Sequence, residues 1–146
     1  MDDPDCSVGE IRFSLFYQKD RLSIIIFRAQ KLDPSINEAM VRIYLVQPGR
    51  RVLKKKTSVK PVIDHCVDFS ESIFINISQS KLQKSNIRLS FVAIDYQNTN
   101  SVGHVTIGPR TSGKELGHWQ RLLLPHDRPI MMSHYIKPKI RTQKRD

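Results

Sequence analysis

Between Arg50 and Lys60 six of eleven residues are cationic: Arg50, Arg51, Lys54, Lys55, Lys56 and Lys60. A run of this kind binds anions: lipid phosphates, a nucleic-acid backbone or a carboxylate-rich protein surface. Each Lys or Arg held near an anionic leaflet contributes about 1 kcal/mol, so the run can supply several. Lysines on an edge strand also discourage unwanted pairing. One or two would suffice for that, and three in a row beside two arginines exceed it. Read as a strand, the run turns Leu53, Thr57 and Val59 inward and Lys54, Lys56 and Lys60 outward. Lys55 shares the inward parity and must reach past the sheet edge. Arg42 lies on the same side of the preceding strand as Tyr44 and extends the patch.

The other chemistry-bearing residues do not assemble into a catalytic set. There is no GxSxG elbow. Gly108 to Lys114 fits the GxxxxGK half of a phosphate loop, but Glu115 stands where a magnesium-binding Ser or Thr belongs. Pro109 also removes one N–H from the cradle, so the segment reads as a turn into a helix. His65, His104, His118, His126 and His134 show neither HxxxH nor HExxH spacing. Cys6 and Cys66 make neither a disulfide framework nor a zinc site, which points to a reducing, cytosolic setting. The carboxylates do not pair into an acid/base couple. The sequence therefore predicts a protein that is not an enzyme and takes no small-molecule substrate.

The net charge of +10 and pI near 9.9 strengthen the case for an anionic partner. Single-strand nucleic-acid binders interleave aromatics that stack on bases. The basic run has none, and Tyr44 is its only aromatic neighbour, so nucleic acid is the minor alternative. No stretch approaches the roughly 20 apolar residues of a membrane-spanning helix. The acidic start Met1-Asp2-Asp3-Pro4-Asp5 lacks a signal peptide's pattern. The expectation is a chain that does not itself span a membrane.

The elements that must carry these residues are short strands. Ile11, Phe13 and Leu15 alternate with polar neighbours, as do Val41, Ile43 and Leu45, and Ile87, Leu89 and Phe91. Ile24-Ile25-Ile26-Phe27 suggests burial on both faces. Phe69, Ile73, Ile75 and Ile77 share one parity, with Phe74 opposite. Asn98-Thr99-Asn100 reads as a loop tip, and Val102 to Ile107 as a strand. Ser78 to Lys84 is a polar link with one helical turn. Ser112 to Leu124 is the convincing helix, with Ser112 and Glu115 as a capping box and Trp119 packed inward. Met131 to Ile136 is the last strand. About eight strands and one late helix predict an all-β, antiparallel Greek-key sandwich. The expected organisation is a disordered leader over 1–8, the domain over 9–136 and a basic tail over 137–146.

Several motifs in this order resemble the second C2 domain of synaptotagmins. Gly9-Glu10-Ile11-Arg12-Phe13-Ser14-Leu15 is similar to the opening strand of those domains. Arg21-Leu22-Ser23-Ile24 and Ala29-Gln30-Lys31-Leu32 resemble the next. Lys54-Lys55-Lys56-Thr57-Ser58-Val59-Lys60 looks like the family's polybasic strand, and Val102 to Gly108 like its seventh. His118-Trp119, Leu122-Leu123 and Arg128-Pro129-Ile130 are similar to the family's "HW…ML…RPI" signature. The resemblance covers about Gly9 to Ile136. It implies an eight-stranded sandwich, phospholipid or phosphoinositide binding along the basic strand, and a role in vesicle trafficking or exocytosis at a cytoplasmic membrane face. SNARE or endocytic adaptor proteins are the alternative partners.

The same resemblance implies a calcium site of five acidic side chains in two apical loops. Here only Asp33, Glu38 and Asp95 stand near those positions, Gln97 replaces another, and the last loop is short. Calcium takes six to eight oxygens, many of them carboxylate, so calcium binding is expected to be lost and no cofactor is expected. Arg128 matches a family arginine at the opposite end, a secondary contact, but Asp127 stands where the family often has a second.

Overall fold

The computed structural model describes residues 7–139 other than Gln97. Cys6, most of the expected leader and the tail from Ile140 lie outside the described residues. In chain order the elements are β1 (Glu10–Gln18), β2 (Arg21–Gln30), β3 (Glu38–Gln47), β4 (Arg50–Lys56), β5 (Lys60–Pro61), β6 (Val67–Asn76), α1 (Gln79–Leu82), β7 (Asn86–Asp95), β8 (Asn98–Ile107), α2 (Gly113–Leu123), β9 (Ile130–Tyr135) and β10 (Lys137–Pro138). Two of the ten strands, β5 and β10, are only two residues long, which leaves eight of ordinary length.

Period-two alternation makes each long strand apolar on one side, and two such sides close on each other. One sheet runs β6-β2-β1-β9 and the other β10-β8-β7-β3-β4, with β5 against β3, all antiparallel. Between them lie Phe13, Leu15, Ile24, Ile26, Val41, Ile43, Leu89 and Phe91, all essentially removed from water. Trp119 and Leu122 of α2 join the same core, so the helix plugs one side of it. This is the all-β sandwich that the alternation predicts.

Local departures have physical causes. Only Ile24 and Ile26 of the Ile24–Phe27 run are buried; Ile25 and Phe27 are half-buried, because their side of β2 is the outer face of that sheet. Asn98, Thr99 and Asn100 are not a loop tip but part of β8, opposite Asp95, Ile94 and Ala93. Val59 is not inward: it is 44% exposed, because the ladder ends at Lys56 and the chain crosses to β5. Ser112 makes no side-chain cap. Glu115 is instead buried and ion-paired with Lys137 at 3.6 Å, so it does not reach back to complete a capping box.

The two ends of the expected domain also shift. Val8 donates its N–H to the Ile136 carbonyl at 3.0 Å, so the chain is tied down before Gly9. Lys137–Pro138 pairs with His104 and Gly103 of β8, and the Lys139 N–H reaches the Val102 carbonyl at 3.1 Å. The boundary at 137 therefore falls inside the sheet. Gly103 permits this approach: a Cβ there would lie 2.3 Å from the Lys137 carbonyl oxygen. Gly103→Ala should push β10 off β8 and destabilise the fold by roughly 1–3 kcal/mol, the usual cost of overpacking. Urea unfolding measures this; a change below about 0.5 kcal/mol would mean that the segment yields freely.

Candidate functional site

β4 is the edge of its sheet and carries the basic run. Its ladder with β3 sets Lys56 opposite Arg42 and Lys54 opposite Tyr44. On the other side of β3, β7 sets Ser90 opposite Arg42 and Arg88 opposite Tyr44. Directly opposed residues share a face. Two rows result, Lys56-Arg42-Ser90 and Lys54-Tyr44-Arg88.

A β-bulge completes the face. Leu53 pairs with Leu45, but the next pair is Arg51 with Val46, leaving Val52 as the extra residue. Strict alternation from Leu53 would turn Arg51 inward. The bulge carries it to the side of Tyr44 and Val46, where its guanidinium lies 4.4 Å from the centre of the Tyr44 ring. A depression of about 560 Å³ opens between Arg42, Tyr44, Arg50, Arg51, Arg88 and Ser90. Farther along the same face, His104 sits opposite Ser90. Its pKa is held below the usual imidazole value, first by burial and then by the positive charges of Arg88 and Lys137.

The residues singled out from the sequence divide accordingly. Arg42, Arg51, Lys54 and Lys56 come together, and Arg50 borders them at the hairpin turn. Lys55 lies opposite the buried Ile43 yet is itself exposed, as an edge strand allows. Lys60 does not join the outward set. It is half-buried in β5 opposite Ala39, whose parity in β3 is that of Val41 and Ile43 rather than Arg42 and Tyr44. Arg88 is a member that the sequence alone does not reveal. Its position between Ile87 and Leu89 marks it as outward, but only strand pairing places it across β3 from Lys54. Arg88→Ala should weaken anion binding about fivefold, the worth of one cation near an anionic surface. An unchanged affinity in a vesicle titration would confine the patch to β3 and β4.

The apical loops meet at one end. The Leu32 N–H donates to the His65 carbonyl at 3.0 Å, and the Val62 N–H to the Asn37 carbonyl at 2.8 Å. Asp33 accepts the Ser35 N–H at 2.8 Å, and this hydrogen bonding holds its pKa below the usual carboxylate value. Glu38 begins β3 between Pro61 and Ile94. Asp95 pairs with Asn98, so only Tyr96 and Gln97 connect β7 to β8. Among the described residues no three His, Cys, Asp or Glu side chains group as a metal would need. Arg128 precedes β9, whose Ile130 pairs with Leu15 at the far end of β1. It is exposed and 3.7 Å from Asp127.

A different polar cluster is sealed beneath α2. His118 and His134 are both buried, with His118 Nδ1 2.8 Å from His134 Nε2 and His118 Nε2 2.8 Å from the Ile130 carbonyl. Both rings lie against Phe13, at 5.3 Å between centres. Sequence spacing carries no sign of the pair, because α2 and β9 bring the two together only in the fold.

No family model matches the chain. Human synaptotagmin-12 is 33% identical over 138 residues, covering 90% of this chain and 32% of that protein. Rat synaptotagmin-8 is 35% identical over 133 residues, covering 89% and 33%. The chain thus spans about a third of the length of the curated relatives it matches. Among solved structures, a C2 domain of RIM from Drosophila superposes with a TM-score of 0.68 at 11% identity, over 90% of this chain and 99% of that one. At that identity the likeness shows the fold alone.

Proposed function

We propose that this chain is a C2 domain of the synaptotagmin family and that it docks without calcium to anionic, phosphoinositide-containing membranes through the β3–β4–β7 face. The observation that carries this reading is the gathering of Arg42, Arg51, Lys54, Lys56 and Arg88 on one side of one sheet. Five cations on one face, beside a shallow depression lined by Arg42, Arg50, Arg51 and Arg88, suit a membrane surface better than an enclosed substrate. The domain is then a non-catalytic, peripheral module, the second C2 domain of an atypical member, acting in vesicle trafficking or exocytosis on the cytoplasmic face of a vesicle or plasma membrane.

Calcium independence follows from a poor fit of the loops to the ion. Asp33 already commits an oxygen to Ser35, a two-residue connection after Asp95 offers little to wrap an ion, and among the described residues no three His, Cys, Asp or Glu side chains group together. Co-sedimentation tests both halves of the reading. Vesicles of phosphatidylcholine with phosphatidylserine and a phosphoinositide should pull the chain down equally in calcium and in chelator. Vesicles of phosphatidylcholine alone should not. Binding that appears only with calcium would overturn the loop reading, and equal binding to neutral vesicles the patch reading.

One observation favours a second reading, docking of an acidic SNARE or adaptor protein. The outer edge of β4 ends its sheet, so its backbone can accept a further extended strand. Capture of an acidic peptide without lipid, surviving high salt, would select this reading, since screening removes a purely electrostatic contact.

A further inference from the structure

We propose that Ser58 is a phosphorylation site for a serine/threonine kinase that reads basic residues on both sides of its target, and that the phosphate switches off the cationic face. Ser58 follows Lys54, Lys55 and Lys56 directly after the buried Thr57, and Val59 and Lys60 follow it. It stands just past the end of β4, outside the ladder, and is exposed. Three upstream cations, an exposed apolar residue next in sequence and a further cation beyond it form an extended, strongly basic recognition segment.

The hydroxyl chemistry separates Ser58 from its neighbour. Thr57 is buried at 3% exposure, accepts the Val41 N–H at 2.9 Å and donates to the Ser58 carbonyl at 2.9 Å. It is closed to a kinase. Ser58 Oγ points across to β6 and donates to Glu71 Oε2 at 2.6 Å, while the Ser58 N–H donates to both Glu71 oxygens at 3.0 and 3.2 Å. A kinase needs only to draw the exposed hydroxyl away from that carboxylate. Transfer from ATP forms the Ser58 Oγ–P bond and breaks the bond from the γ-phosphorus to the bridging oxygen of ADP; the hydroxyl proton goes to the kinase's base.

The product adds a charge of about −1.5 to −2 at neutral pH. Glu71 then faces a like charge where it held a hydrogen bond, and the phosphate stands two residues along the chain from Lys56 and from Lys60. It offsets charge in the segment that carries Lys54 and Lys56, which the membrane reading requires, so the switch rests on that reading.

The test uses the chain, a purified basophilic serine/threonine kinase and magnesium ATP. Fragment mass spectra should show one phosphate at Ser58, absent from Ser58→Ala. The phosphorylated chain should bind phosphatidylserine and phosphoinositide vesicles at least tenfold more weakly than the unmodified chain, with Ser58→Ala unaffected by the kinase. Phosphate elsewhere but not on Ser58 would overturn the site. Phosphate on Ser58 with full vesicle binding would overturn the switch. Failure of the unmodified chain to bind is read in the arm without kinase and overturns the membrane reading, and the switch with it.

Discussion

Replacing Lys54, Lys55 and Lys56 together by alanine should weaken binding to anionic vesicles by roughly a hundredfold. Each cation near such a surface contributes about 1 kcal/mol, and 1.4 kcal/mol is a tenfold change, so three sum to about two decades. The fold should not suffer. All three side chains are exposed on an edge strand, and none is in an observed ion pair among the described residues. Vesicle titration gives the affinity, and thermal unfolding checks that the variant remains folded. The deficit should shrink as salt rises, since the wild-type advantage is screened. A variant that binds as well as the parent would remove β4 from the interface. The loss should be uneven: Lys54 and Lys56 share the face of Arg42 and Tyr44, while Lys55 projects from the other side. Lys55→Ala alone should therefore cost less than Lys54→Ala alone.

Acidification from pH 6.5 towards 4 should destabilise the domain by several kcal/mol. The Ile130 carbonyl can only accept, so His118 Nε2 carries a proton. Its Nδ1 then accepts from His134 Nε2–H, which leaves His134 Nδ1 unprotonated, buried and without a hydrogen-bond partner. A further proton has nowhere to find an acceptor. Burial, above all, lowers the pKa of His118 to about 4 and of His134 to about 3; Lys114 opposes protonation of both, and Arg121 that of His118. The folded values lie below the ordinary 6.5. The neutral pair therefore stabilises the fold fully above pH 6.5, and that contribution is lost as pH falls towards the folded values. Each titrating histidine contributes about 1.4 kcal/mol per pH unit within this window. Unfolding free energies from urea at about pH 7, 6 and 5 should fall steadily. A flat profile across that range would show that the pair is not protected as the geometry requires. Measurements above about pH 5 keep the effect apart from the carboxylates, whose ordinary values lie near 4.

The strands and their buried faces are legible in the sequence because alternation is a local property. Ile11, Phe13 and Leu15 declare an inner face without knowledge of what they meet, and so do Ile87, Leu89 and Phe91. Trp119 is likewise placed by its helical register. The basic run is legible as charge. What it joins is not, because a strand's neighbours come from pairing across long separations. Arg88 enters the site through β7, and Arg51 enters because one bulge at Val52 reverses its side. The same limit displaces Lys60 and Val59. Unbroken alternation requires a single strand from Arg50 to Val59, and the ladder stops at Lys56.

The sequence by itself determined that this protein is a sandwich of short strands with a strongly cationic segment. Composition and period suffice for that, since each residue's preference is set by its own side chain and near neighbours. Only the tertiary structure decided which cations share a face, that Glu115 is paired with Lys137 and unavailable to cap α2, and that His118 and His134 form a sealed pair. Those outcomes depend on register and on packing between distant segments. A slip of one residue in β4, for example, would turn Lys54 and Lys56 to the other side of the sheet.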